Sequence, residues 1–192
     1  MKKFLDRLLE SMSEYGIVND EDSYDIVRYG AEMFIMKIIF LLATILVGII
    51  THSLMEITIF MIVFQPLRTY GGGYHSKTKM RCFISSVLLM FLVVFSGKVM
   101  PEKILPVLSV ASVLIGGTVI FFLAPIGTPN KPLDEVEKIV YRKRTRLILT
   151  AIIAAGIIIL ALHRYNWLFM IALGLLAVSL LLILGKFICE DE

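Results

Sequence analysis

Six apolar stretches, at roughly 33–50, 54–67, 83–97, 104–124, 147–162 and 167–185, constrain this 192-residue chain more than any other feature. A straight helix crossing a bilayer needs about 20 residues, with a range of about 17–25. The first, fourth and sixth stretches meet that length. The second, third and fifth are short and must tilt, extend or re-enter, and the second is the least secure. Composition agrees. The chain is 58% hydrophobic and 18% charged, where a soluble domain runs near half and about a quarter. The expected fold is therefore all-α: a polytopic integral membrane helical bundle of about six transmembrane helices with an N-terminal amphipathic helix. In that leading helix Phe4, Leu5, Leu8, Leu9 and Met12 recur at helical spacing, with charges opposite. It reads either as a helix lying in the membrane interface or as a cap packed on the bundle. The length suits one membrane-embedded domain, 1–192, with no room for a separate soluble domain. Within it, 1–30 is interfacial or cytoplasmic, 66–82 a polar cytoplasmic loop and 125–146 a basic cytoplasmic loop.

The basic residues set the orientation. Six spans put fifteen of the Lys and Arg residues at one membrane face and three, Lys98, Lys103 and Arg164, at the other, with Lys37 inside the first span. Positive residues collect on the cytoplasmic side, so both termini and both large polar connections are expected there. A net charge of +3 is too small to argue for nucleic acid. Cys82 and Cys189 are the two cysteines, with no repeated C-x-x-C pattern or Cys/His quartet. A metal site is not expected, and Cys189 reads as an inert or reduced thiol. No cleavable signal peptide is legible at the N-terminus.

Between the second and third apolar stretches lies Arg68-Thr69-Tyr70-Gly71-Gly72-Gly73-Tyr74-His75-Ser76-Lys77-Thr78-Lys79-Met80-Arg81-Cys82. It places a histidine and a cysteine seven residues apart behind three glycines. Cysteine attacks as thiolate. A helix starting near Ser76–Thr78 would hold Cys82 in its first turns, where the partial positive charge favours an anion. Histidine is the usual base for such a thiol. On one continuous helix, however, His75 and Cys82 would be about 10.5 Å apart along the axis at about 1.5 Å per residue. That is too far for the roughly 2.6–3.2 Å contact a working pair needs. His75 must then lie off the helix, and Gly71, Gly72 and Gly73 can fold the chain back. Their N–H groups could also hold a developing oxyanion. Taken alone, the pattern also fits ordinary boundary residues, or a turn binding lipid phosphate.

The insert resembles the signature of the accessory gene regulator protein B (AgrB) family of membrane cysteine endopeptidases. Arg68, Gly71, Gly72, Gly73, His75 and Cys82 carry that resemblance. Ala124-Pro125, Pro129-Asn130-Lys131-Pro132-Leu133 and the basic run Tyr141-Arg142-Lys143-Arg144 extend it across essentially the whole chain. It implies a protein of the bacterial cell membrane that processes a quorum-sensing peptide precursor, with no cofactor. Cys82 would attack a precursor carbonyl and His75 would shuttle the proton. The thioester so formed would be opened by a nucleophile inside the peptide, releasing a thiolactone or lactone. Arg68 would clamp a precursor carboxylate, or reach headgroups. Arg142, Lys143, Arg144 and Arg146 would enforce topology and attract an acidic precursor segment. No spacing selects a third catalytic residue among Gln65, Ser76, Ser85, Ser86, Asn130 and Asp134. Ala151, Ala154, Ala155 and Gly156 suit close helix packing, within the bundle or between two copies. The competing readings are a small peptide exporter or permease and a non-catalytic membrane assembly protein. The first is disfavoured by the few polar residues inside the spans.

Overall fold

The computed structural model describes residues 21–74, 78–127 and 133–190. The amphipathic stretch Met1–Tyr15, His75, Ser76 and Lys77, and Pro129–Pro132 lie outside these residues, as does the side chain of Cys189. Among the described residues six helices run: α1 (Glu21–Ile50), α2 (Leu54–Gly71), α3 (Lys79–Val99), α4 (Leu105–Leu123), α5 (Glu135–Ala161) and α6 (Tyr165–Glu190). Among the described residues there is no strand, and the all-α class expected from hydropathy holds. Five of the helices are long and apolar enough to cross a membrane: Ile26–Ile50, Met80–Val99, Leu105–Leu123, Glu135–Ala161 and Tyr165–Phe187. This is a multi-pass membrane protein.

The chain divides into two units, Met1–Leu46 and Val47–Glu192. The first holds the greater part of α1. Phe34, Leu41, Leu42 and Leu46 on it are exposed, as a helix facing lipid tails should be. The Thr44 hydroxyl folds onto the Phe40 carbonyl at 2.8 Å. Everything below concerns the second unit.

In that unit α6 is the central helix. Leu168–Ala172, Leu175, Val178 and Leu182 are buried, and Phe169, Met170, Ile171, Leu175, Val178 and Leu182 form one core with Phe60, Val63, Phe64, Leu67, Leu105, Ile120 and Leu149. Lipid gives helices no hydrophobic reason to associate, so close packing at small residues does that work. A Cβ on Gly174 would meet Val63 Cγ1 at 2.7 Å, and one on Gly116 would meet the Leu175 backbone carbon at 3.0 Å. These two glycines let α2 and α4 press against α6. The outward apolar residues, such as Leu88, Phe95, Val107, Leu114, Phe122 and Ile157, would be an aggregation hazard in water and belong in lipid.

The structure redraws three boundaries. First, the third and fifth stretches are not short: α3 has 21 residues and α5 has 27. Helix α5 starts at Glu135, where the Asp134 carboxylate caps it by accepting from Glu137 N–H at 2.6 Å. The basic run therefore stands on helix, and the basic loop read as 125–146 ends before Glu135. Second, the polar loop read as 66–82 starts later, because α2 continues through Pro66 to Gly71. Proline removes one donor, but Leu67 beside it is fully buried and holds the helix in place. Third, α2 falls outside the span-grade set, since Gln65, Pro66, Arg68 and Thr69 occupy its last third. It is nevertheless packed along α6. Leu54, Met55 and Glu56 share a cavity wall with Trp167, while a Cβ on Gly71 would lie 4.0 Å from Leu182 Cδ2. Its 18 residues cover about 27 Å at about 1.5 Å per residue.

Candidate active site

Cys82 is the fourth residue of α3. Thr78 caps that helix with extended backbone, and its hydroxyl accepts from Arg81 N–H at 3.3 Å. Cys82 N–H donates to Thr78 O at 3.1 Å, and the Cys82 carbonyl accepts from the Ser85 and Ser86 hydroxyls at 2.9 and 2.8 Å. These bonds anchor its backbone and leave the thiol out of the helix ladder. The thiol is free and partly exposed in the first turn of α3. Because α3 begins at Lys79, it does not reach back to His75. His75 itself lies outside the described residues.

The chain entering His75 is fixed from three sides. Gly71 is the last residue of α2, so only Gly72 and Gly73 leave the helix, with φ of 72° and 91°. Gly72 forms a parallel bridge with Ile126, just past α4. Ile126 N–H donates to Gly71 O at 3.0 Å, and Gly73 N–H donates to Ile126 O at 3.2 Å. Tyr74 N–H then donates to Leu181 O on α6 at 2.8 Å. The third side is Arg68, whose guanidinium donates to the carbonyls of Gly72 and Tyr74. Gly73 N–H is thus already paired, and an oxyanion role there would require breaking its bond to Ile126.

Arg68 is turned onto its own chain, holding the glycine turn. The guanidinium stays protonated. It therefore supplies a fixed positive charge and two donors to the turn.

The basic run is tied to the same end of the molecule. The Arg144 guanidinium lies 5.3 Å from the centre of the Tyr70 ring, with Nη1 3.5 Å from the Tyr70 hydroxyl. Tyr141 meets that ring edge-on at 5.8 Å. Tyr70 is two residues before Gly72, so α5 and the turn share a support. Arg142 and Lys143 are exposed, and Arg146 stacks on Phe121 at 4.3 Å. Of the residues considered for a third catalytic role, Ser85 and Ser86 have hydroxyls engaged by the Cys82 carbonyl, and Asp134 caps α5. Gly156 serves the bundle, against Leu168; Ala151, Ala154 and Ala155 are exposed.

Sequence reasoning missed Ile126, Leu181, Gly185 and Tyr70, all of which shape the turn. Only Gly185 carried a local signal, as an isolated glycine near the end of an apolar helix.

A multi-pass helical membrane protein with a free cysteine at a helix mouth, beside an arginine-braced glycine turn, is the class these features define. The family model for accessory gene regulator B matches residues 5–183, and the chain belongs to the AgrB family. That family is linked to quorum-sensing peptide processing. Among similar curated proteins is an AgrB-like protein of Clostridium perfringens strain SM101, 25% identical over 168 residues, covering 84% of this chain and 78% of the relative. A second, from C. perfringens strain 13, is 25% identical over 62% of this chain and 58% of its own length. A third, from Listeria monocytogenes strain EGD-e, is 27% identical over 70% and 67%. All three are named only for that likeness. No solved structure matches the chain significantly.

Proposed function

We propose that the chain is a membrane cysteine endopeptidase that cleaves a quorum-sensing peptide precursor and promotes its cyclisation. The observation that carries this is the placement of Cys82: a free, partly exposed thiol in the first turn of α3, reached through the glycine turn that Arg68 braces. Membership of the AgrB family supports the same reading.

In this mechanism the Cys82 sulfur attacks a precursor carbonyl carbon and His75 takes the thiol proton. The C–N bond breaks, and His75 returns the proton to the departing amine. The product is a thioester on Cys82. A thiol or hydroxyl within the bound peptide then attacks that carbonyl, the C–S bond breaks, and the proton goes back to Cys82. A thiolactone or lactone leaves. When the internal nucleophile is a thiol, the second step exchanges one thioester for another and is near thermoneutral. Holding the intermediate at the mouth of an apolar bundle keeps water from it. The test is the intermediate itself. Precursor incubated with membranes should yield a Cys82 peptide carrying the precursor fragment, released by neutral hydroxylamine. Cleavage with no adduct on Cys82 would overturn the mechanism.

In the same reading α2 crosses with the other five helices. Both termini, the glycine turn and the start of α5 then face the cytoplasm, as the charge bias expects. Arg142 and Lys143, exposed beside the Arg144–Tyr70 contact, draw in an acidic segment of the precursor. Replacing both by glutamate should raise KM about tenfold at low salt, with the difference shrinking as salt screens exposed charges. Unchanged processing by the correctly inserted double variant removes this role. A second copy would pack on the exposed Ala151, Ala154 and Ala155 face of α5.

A further inference from the structure

We propose that Gly185, near the end of α6, is a positioning residue for the catalytic turn. Its missing side chain lets Gly73 and Tyr74 lie flush on α6, immediately before His75. The proposal rests on the reading of Cys82 and His75 as the reacting pair.

Three observations point to it. A Cβ on Gly185 would stand 2.6 Å from Tyr74 N and 2.8 Å from both Cα and the carbonyl carbon of Gly73. These are backbone atoms, with no flexible side chain to yield. The fit is reciprocal, since a Cβ on Gly73 would meet Leu181 O at 2.7 Å. Leu181 is one helical turn before Gly185, and its carbonyl receives Tyr74 N–H at 2.8 Å. Gly185 is therefore the gap through which that hydrogen bond is reached. On the far side Arg68 holds the carbonyls of Gly72 and Tyr74, and Ile126 holds Gly71 and Gly73. The chain entering His75 has no free direction in which to retreat.

Gly185 has ordinary helical backbone, so α6 itself does not require glycine there, and alanine is the better helix former. A substitution that favours the helix should still displace the turn. An ångström-scale displacement of a catalytic group is enough to cost activity heavily.

The experiment measures alkylation of Cys82 by iodoacetamide at pH 7 in membrane vesicles holding the full chain, read by mass spectrometry of the Cys82 peptide. Four variants are compared with the parent: His75→Ala, Gly185→Ala, the pair together, and Gly117→Ala. The last is a control whose added Cβ makes only ordinary contact, 3.8 Å from Ile153 Cδ1. Gly185→Ala is expected to slow alkylation about tenfold. The double variant should be no slower than His75→Ala alone, because both changes remove one function. Gly117→Ala should match the parent. Parent-like alkylation of Gly185→Ala, or a loss that adds to that of His75→Ala, overturns the positioning role. So does failure of Gly185→Ala to accumulate in the membrane, which would assign Gly185 to folding. If His75→Ala leaves the rate unchanged, the paired reading falls and this proposal falls with it. If only His75→Ala slows the reaction, this proposal alone falls.

Discussion

Changing Cys82 to alanine is expected to abolish precursor cleavage, a loss of about ten-thousand-fold or more, while the protein stays in the membrane. The size follows from the role. A group that forms the covalent intermediate has no substitute when removed, and what remains is binding without chemistry. The retention follows from the structure. Every hydrogen bond described for Cys82 is made by its backbone, to Thr78, Ser85 and Ser86. Alanine keeps all of them and is the better helix former. The side chain is partly exposed and lies outside the buried core, so its loss opens no cavity there. The measurement is precursor turnover by mass spectrometry in vesicles carrying equal amounts of each protein. Turnover by the alanine variant at the parent rate would sink the cysteine mechanism.

The second large effect is expected at Gly72. Gly72→Ala should cut turnover about a hundredfold, with membrane abundance unchanged. Two causes act together. Gly72 has φ 72° and ψ −134°, a combination open to glycine and strained by about 1–3 kcal/mol for other residues. An added Cβ would also stand 2.0 Å from Ile126 O, a clash that no side-chain rotation relieves. The bridge must open, which puts at risk the bonds from Ile126 N–H to Gly71 and from Gly73 N–H to Ile126. Each is worth about 1 kcal/mol net. The bundle core around α6 does not include Gly72, so helix packing survives and the turn alone is displaced. Gly71→Ala makes the contrast. Its Cβ would meet Ala124 Cβ at 3.9 Å and Leu182 Cδ2 at 4.0 Å, which is ordinary packing, so its loss should be much smaller. Equal losses at Gly71 and Gly72 would show that the effect comes from something other than this bridge.

Those neighbouring glycines mark what could be read from the chain. Their composition announced a turn, and Gly72 and Gly73 make one. That Gly71 stays helical was not legible, because three adjacent glycines look alike locally. Arg68 is similar. Its type and place suggested a partner outside the chain, a carboxylate or a headgroup. Its guanidinium braces Gly72 and Tyr74, four and six residues on. A side chain's choice among acceptors depends on where the backbone has already turned.

Local chemistry by itself determined the class and the outline. Long apolar runs need a low-dielectric surround, so hydropathy alone gave helices in a membrane and six segments in order. It also put Cys82 in the first turns of a helix, because the polar insert had to end where the apolar run began. Tertiary structure decided the rest. Helix α5 reaches back over the basic run because Asp134 caps it. Helix α2 persists past Pro66 because Leu67 is buried against its neighbours. The turn before His75 is held by Ile126 and Leu181, about 54 and 107 residues downstream. Backbone groups that pair across such separations leave no trace in a local window, since a peptide N–H is the same in every residue but proline. Only the packing of α4 and α6 beside α2 brings those carbonyls within reach, and glycines at 72, 73 and 185 are what let the chains come that close.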